Sequence, residues 1–132
     1  MPLSPNRPSF MQAGGRYQDA QTMFNHFIDA LLPLAEQIPS LVFGDRNETK
    51  IDFRYLGWEY RLRFVFDADA GVGKIVYLAK EGYNDDNDDR YADRSLVFVD
   101  HVGNIGVKQA WPWSVAKDSE RAFYFLITGQ MP

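Results

Sequence analysis

Residues Ile51 to Phe66 read IDFRYLGWEYRLRFVF, and they decide the fold. Apolar and polar side chains alternate, the period of a half-buried β-strand. With Leu56-Gly57 as a two-residue turn, Tyr55 pairs with Trp58, Phe53 with Tyr60 and Ile51 with Leu62 on one face. Phe64 and Phe66 extend that face. The opposite face pairs Arg54 with Glu59 and Asp52 with Arg61, opposite charges directly across the strands. One register therefore satisfies both faces, and a slip of one residue would place Phe53 against Glu59. The turn has two solutions. A type I′ turn demands positive φ at Leu56, which a γ-branched side chain disfavours. A type II turn would put Gly57 at its third position.

Outward from this hairpin, the preceding segment has a different period. Tyr17, Ala20, Met23, Phe24, Phe27, Ile28, Leu31, Leu34, Ala35 and Ile38 recur every three or four residues. That spacing predicts an amphipathic helix over 16–32, with a kink or fresh turn at 33–38 because Pro33 lacks an N–H. Residues 1–15 contain Pro2, Pro5, Pro8 and Gly14-Gly15, and are expected to form a flexible arm tethered by Phe10 and Met11. The polar run GDRNET at 44–49 reads as a turn.

Beyond the hairpin, DADAGVG at 67–73 reads as a loop and KIVYLAK at 74–80 as a third strand with apolar residues on both faces. EGYNDDNDDRYAD at 81–93 is the most acidic stretch. Asp85, Asn87 and Asp89 have calcium-ligand spacing, but Arg90 and Leu96 stand where a calcium loop needs Gly and Glu. A solvated acidic loop is expected. Arg94–Val102 and Ile105–Ala110 read as a second hairpin about a Gly103-Asn104 turn, pairing Val102 with Ile105 and Asp100 with Val107. That register puts Asp100 on an apolar face, where burial would make it a candidate base; a position near the sheet end, wet or paired diagonally with Lys108, is the preferred reading. WPW at 111–113 reads as an aromatic corner. For 114–128 the helical stripe ending at Gly129 competes with a strand at 121–128, RAFYFLIT, rich in β-formers, and the helix is preferred. The expected architecture is α+β: a five-stranded antiparallel meander with an N-terminal and a C-terminal helix on one face, forming a single domain over 16–132.

Composition narrows the function classes. The 132 residues carry a net charge of −4 and no cysteine, so there is no disulfide framework or thiolate metal site. A cytoplasmic location is the default expectation, without membrane association. Ten Phe, seven Tyr and three Trp suit a large packed core or a partner surface, since aromatics serve both. No metal or other cofactor is expected. His26 and His101 stand apart, DAGVGK lacks P-loop spacing, and no nucleophile–base pair is visible, so an enzyme is not expected.

A small non-catalytic protein-binding domain of the adaptor, inhibitor or immunity type accounts for more. Its expected contact residues are Asp85, Asp86, Asp88 and Asp89 of the acidic loop, together with Val76, Leu78, Val97 and Val99. These four aliphatics are expected to form a strip on the open side of the sheet and to favour a homodimer. Two alternatives remain. One is nucleic-acid binding through Lys50, Arg54, Arg61 and Arg63, which Asp52 and Glu59 oppose. The other is a small ligand held in an aromatic cavity between sheet and helices.

Overall fold

The computed structural model describes residues 9–83, 89–108 and 110–131, of which Gly82, Tyr83 and Asp89 are described by their backbone alone. Helix α1 (Phe10–Leu31) leads through a 3₁₀ turn (Leu32–Glu36) into seven strands. These are β1 (Leu41–Asn47), β2 (Lys50–Tyr55), β3 (Trp58–Asp67), β4 (Val72–Tyr83), β5 (Asp89–Val99), β6 (Asn104–Val107) and β7 (Ala110–Ser114), followed by helix α2 (Val115–Thr128). The strands form one antiparallel sheet in sequential order, so the α+β meander with terminal helices holds with seven strands in place of five.

The central hairpin has the expected register, with Phe53 opposite Tyr60, Ile51 opposite Leu62, and the charged pairs Asp52–Arg61 and Arg54–Glu59. Leu56 and Gly57 have φ of 53° and 84°, and positive φ at both central positions is the type I′ solution. The twist match of that turn to the flanking strands outweighs the discomfort of an exposed leucine in the left-handed region.

Both helices cover the hairpin's aromatic face. Phe24 of α1 lies 5.7 Å from Phe64, and Phe123 of α2 lies 5.6 Å from Phe53, centroid to centroid. In α2, Val115, Ser119, Ala122, Phe123 and Leu126 are buried at helical spacing, and Gly129 ends the helix at φ 72° with its N–H on the Phe125 carbonyl. Burial of this stripe overrides the β-propensity of RAFYFLIT.

Five expectations are corrected. Helix α1 begins at Phe10, so residues 10–15 belong to the helix and not to an arm. A capping box starts it: the Ser9 hydroxyl accepts from the Gln12 N–H at 3.2 Å, and the Gln12 side-chain oxygen accepts from the Ser9 N–H at 3.1 Å. Phe10 and Met11 project into solvent rather than tethering the chain. Second, GDRNET is largely strand. A bulge between Phe43 and Arg46 takes up Gly44 and Asp45, and this interruption hid the alternation of Leu41 and Phe43. Third, WPW is edge strand β7 and not a corner.

The fourth correction is a change of phase in β5. Tyr77 pairs with Ser95 but Leu78 pairs with Asp93, which leaves Arg94 as an extra residue. That bulge sets 89–93 out of phase with 95–99, where Ile75 pairs with Val97 and Gly73 with Val99 without interruption. The second hairpin closes with Val99, not Val102, opposite Ile105, and an odd shift reverses the faces, so Val97 and Val99 lie fully buried in the core while Leu96 and Phe98 turn to the open face. Fifth, the second hairpin closes three residues early, with Val99 opposite Ile105. Asp100 anchors its loop: one carboxylate oxygen accepts from the N–H groups of Val102 and Asn104 at 3.1 and 2.8 Å, and the other accepts from the Asn104 side chain at 2.9 Å. It is a loop-capping residue, not a buried base.

Candidate functional site

The sheet outruns its helices. Strands β4 and β5 have 12 and 11 residues, and they continue past the end of α2 at Gly129. The uncovered end of the helix-bearing face forms an open groove of about 920 Å³. Trp58, Tyr60, Tyr77 and Ala79 line its floor, and Leu126, Ile127, Thr128 and Gly129 line its wall. Ala79 stands opposite Ala92, and two methyl groups on adjacent strands leave depth that larger side chains would fill.

The aromatic floor is graded in exposure. Tyr77 is buried, Tyr60 is half-buried and Trp58 is 68 % exposed. Tyr60 stacks 5.2 Å from Tyr77 and 5.4 Å from Phe53, which ties the groove floor to the core. Burial, and then the neighbouring Tyr60, push the Tyr77 phenol well above its ordinary value of 10.0. The Ser95 hydroxyl donates to the Leu126 carbonyl at 2.6 Å, satisfying one of the otherwise orphaned acceptors at the end of α2.

Charges on the rim occur as pairs. Arg94, the bulge residue, reaches Glu81 at 2.9 Å. Where the end of the groove meets the open face of the sheet, Glu59 accepts from Lys80 at 2.6 Å and from Arg54 at 3.2 Å. Lys80, followed by Arg54, holds the Glu59 carboxyl below its ordinary value of 4.5. The groove mouth therefore offers aromatic surface framed by compensated charge.

The opposite, open face of the sheet carries the residues singled out from the sequence. Val76 and Leu78 do face this side, yet at 8 % and 6 % exposure they are buried among the side chains of neighbouring strands. Val97 and Val99 are in the core and take no part in the strip; Leu96, Phe98, Val65 and Trp111 replace them. The ring of Trp111 packs against the backbone of Gly106, where an added Cβ would come within 2.7 Å of it, and lies 6.5 Å from Phe98.

The four candidate nucleic-acid residues also share the open face. Arg61 bonds Asp52 at 2.6 and 3.3 Å and lies 4.1 Å over the Tyr91 ring, Arg54 meets Glu59, and the Lys50 ammonium is 3.9 Å from Asp52. Three of the four cations are thus engaged by acids of the same face, which opposes a phosphate-tracking surface. Asp85, Asp86 and Asp88 lie outside the described residues; Asp89 opens β5 opposite Tyr83, so the ends of the expected 81–93 loop are strand, with β4 reaching Tyr83 and β5 starting at Asp89.

Among the described residues, no group of three or more His, Cys, Asp or Glu is placed to hold a metal, and no helix is long and apolar enough to cross a membrane. The groove itself escaped the sequence reading. Its one visible signal was Trp58 and Tyr60 at the turn end of the hairpin's apolar face, where two helices must stop short. Comparison with family models, curated proteins and solved structures finds no match to this chain.

Proposed function

We propose that this chain is a non-catalytic protein-binding domain that seats an apolar, aromatic-bearing segment of its partner in the groove beyond α2. The observation that carries the proposal is Trp58, 68 % exposed on a floor continued by Tyr60 and Tyr77. Exposed tryptophan with tyrosine beside it is the composition of binding hot spots, because large rigid rings bury much area at little entropic cost. The paired rim charges favour an uncharged occupant, since each cation already has its anion. The open side of the groove favours an extended segment over an enclosed small molecule.

The two displaced titrations also favour binding over catalysis. Glu59 is held ionised and Tyr77 is held protonated at neutral pH, whereas a general acid or base works best with a value near that pH.

Amide NMR titration with short peptides tests the proposal. Aromatic-bearing peptides are expected to shift Trp58, Tyr60, Ala79, Arg94 and Ile127, and Trp58→Ser is expected to abolish those shifts while preserving the fold. Peptides that leave these amides unmoved, or a Trp58→Ser variant that binds like the parent, would refute it. Shifts at the same amides with small aromatic compounds alone would transfer the site to the ligand-binding class.

A further inference from the structure

The open face of the sheet carries a second pattern, independent of the groove. Val65, Leu96 and Trp111 are 42 %, 38 % and 45 % exposed there, with Phe98 half-buried beside them. Register places Leu96 opposite Val76 of β4, Val65 and Phe98 on either side of Lys74, and Trp111 of β7 beside Phe98, so the apolar surface runs from Val76 toward the β7 edge. Pairing along the sheet edges is obstructed. Edge strand β7 contains Pro112, which has no N–H to donate. Edge strand β1 is broken by its bulge and tied to α1, where Arg46 bonds Asp29 at 2.8 Å. Association of two sheets must then go face to face.

The charges of this face indicate what covers it. Asp52, Arg54, Glu59 and Lys80 are all in ion pairs, and Arg61 is bonded to Asp52. Lys74 approaches Asp67 at 3.9 Å. Arg63, Asp93 and Asp45 are exposed and, among the described residues, have no ion-pair partner; Asp45 lies in the bulge of edge strand β1, away from β4, whereas Arg63 and Asp93 stand on the two strands beside it. Arg63 stands on β3 opposite Val76, and Asp93 on β5 opposite Leu78. A cation and an anion with no ion-pair partner among the described residues thus flank the β4 aliphatics Val76 and Leu78 from two sides.

A twofold interface uses the same patch on both copies, so residue i meets residue j and j meets i. A self-complementary face needs one such cation and one such anion. We propose that the open face is a homodimer interface in which Arg63 of each copy meets Asp93 of the other. The apolar strip supplies the association, and the two reciprocal charge pairs set the orientation. The groove lies on the other side of the sheet and stays open, so the dimer would present two grooves outward and bind a repeated partner bivalently.

Light scattering with charge-swapped variants tests this. The parent at high micromolar concentration should scatter as twice the 15.2 kDa chain mass. Arg63→Asp and Asp93→Arg each place like charges together at both pairs, so each variant alone should be monomeric. Both residues are exposed and unpaired, so melting temperatures should stay close to the parent's. An equimolar mixture of the two variants restores both pairs and should return to dimer mass. The double variant should dimerise by itself. A monomeric parent, single variants that remain dimeric, or a mixture that stays monomeric would each overturn the proposal.

Discussion

Gly73 on β4 sits where the sheet has no room for even one methyl group. A Cβ built there would lie 2.3 Å from Cε2 and 3.1 Å from Cζ of Phe64, and 3.1 Å from Cγ1 of Val99. Carbon atoms pack best at about 3.5–4.0 Å, so Gly73→Ala obliges the Phe64 ring to retreat by roughly 1 Å or more. The ring has little space to do so, since Phe24 and Tyr17 of α1 stand 5.7 and 5.9 Å from its centroid. Overpacking of this kind costs about 1–3 kcal/mol. Removing glycine from a strand interior returns roughly 0.5–1 kcal/mol. A net loss of about 1–2 kcal/mol is expected, which lowers the urea midpoint by roughly 0.5–1 M for a domain of this size. Phe64→Leu removes the obstructing ring at its own cost. In the double variant the two costs should fall short of their sum by about 1 kcal/mol or more, the signature of residues in contact. A Gly73→Ala protein as stable as its parent, or strictly additive variants, would refute this account of the core.

Three further outcomes are expected. Gly14 and Gly15 lie inside α1 with nothing within 4 Å of an added Cβ, so Gly14→Ala and Gly15→Ala should each stabilise by up to about 1 kcal/mol, read as a higher melting temperature; a lower one would contradict the helical assignment. The lowered value of Glu59 means that its contribution is complete above 4.5 and is lost as pH falls through the folded-state value. The stability gap between the parent and Glu59→Gln should therefore close on acidification, and a gap that widens would reverse the sign. Tyr77, raised by burial, leaves stability unaffected below its ordinary value of 10.0 and erodes it above, where the unfolded phenol ionises first. Tyr77→Phe should flatten that alkaline decline in urea titrations, and an unchanged decline would place its origin in other groups.

The open face and the groove differ in how far they could be read from the chain. Placing Val76 and Leu78 on the open side needed only the strand period, and that survived. Placing Val97 and Val99 beside them needed the phase of β5, and closure of its hairpin at Val99–Ile105 in place of Val102–Ile105 reversed it. Nothing in DRSLVFV announces the phase, because either one puts aliphatic residues on one face and an aromatic or leucine on the other. The groove needed a length comparison: β4 and β5 extend past Gly129, a relation between elements that are separated in sequence and meet only in the folded molecule.

The central hairpin was decided by sequence alone, since one local register satisfied an apolar face and a charged face together, and a slip would have cost both. The two helices followed from period and from their terminators, Pro33 and Gly129. Strand β1, the bulges, the loop held by Asp100 and the groove were decided by tertiary structure. Each depends on which neighbour a strand meets and how far a covering helix reaches. Local alternation carries the energy of burying one face against water, whereas the point at which a hairpin closes is chosen by packing among residues far apart in the chain, here Val97 and Val99 against the helices in place of Leu96 and Phe98.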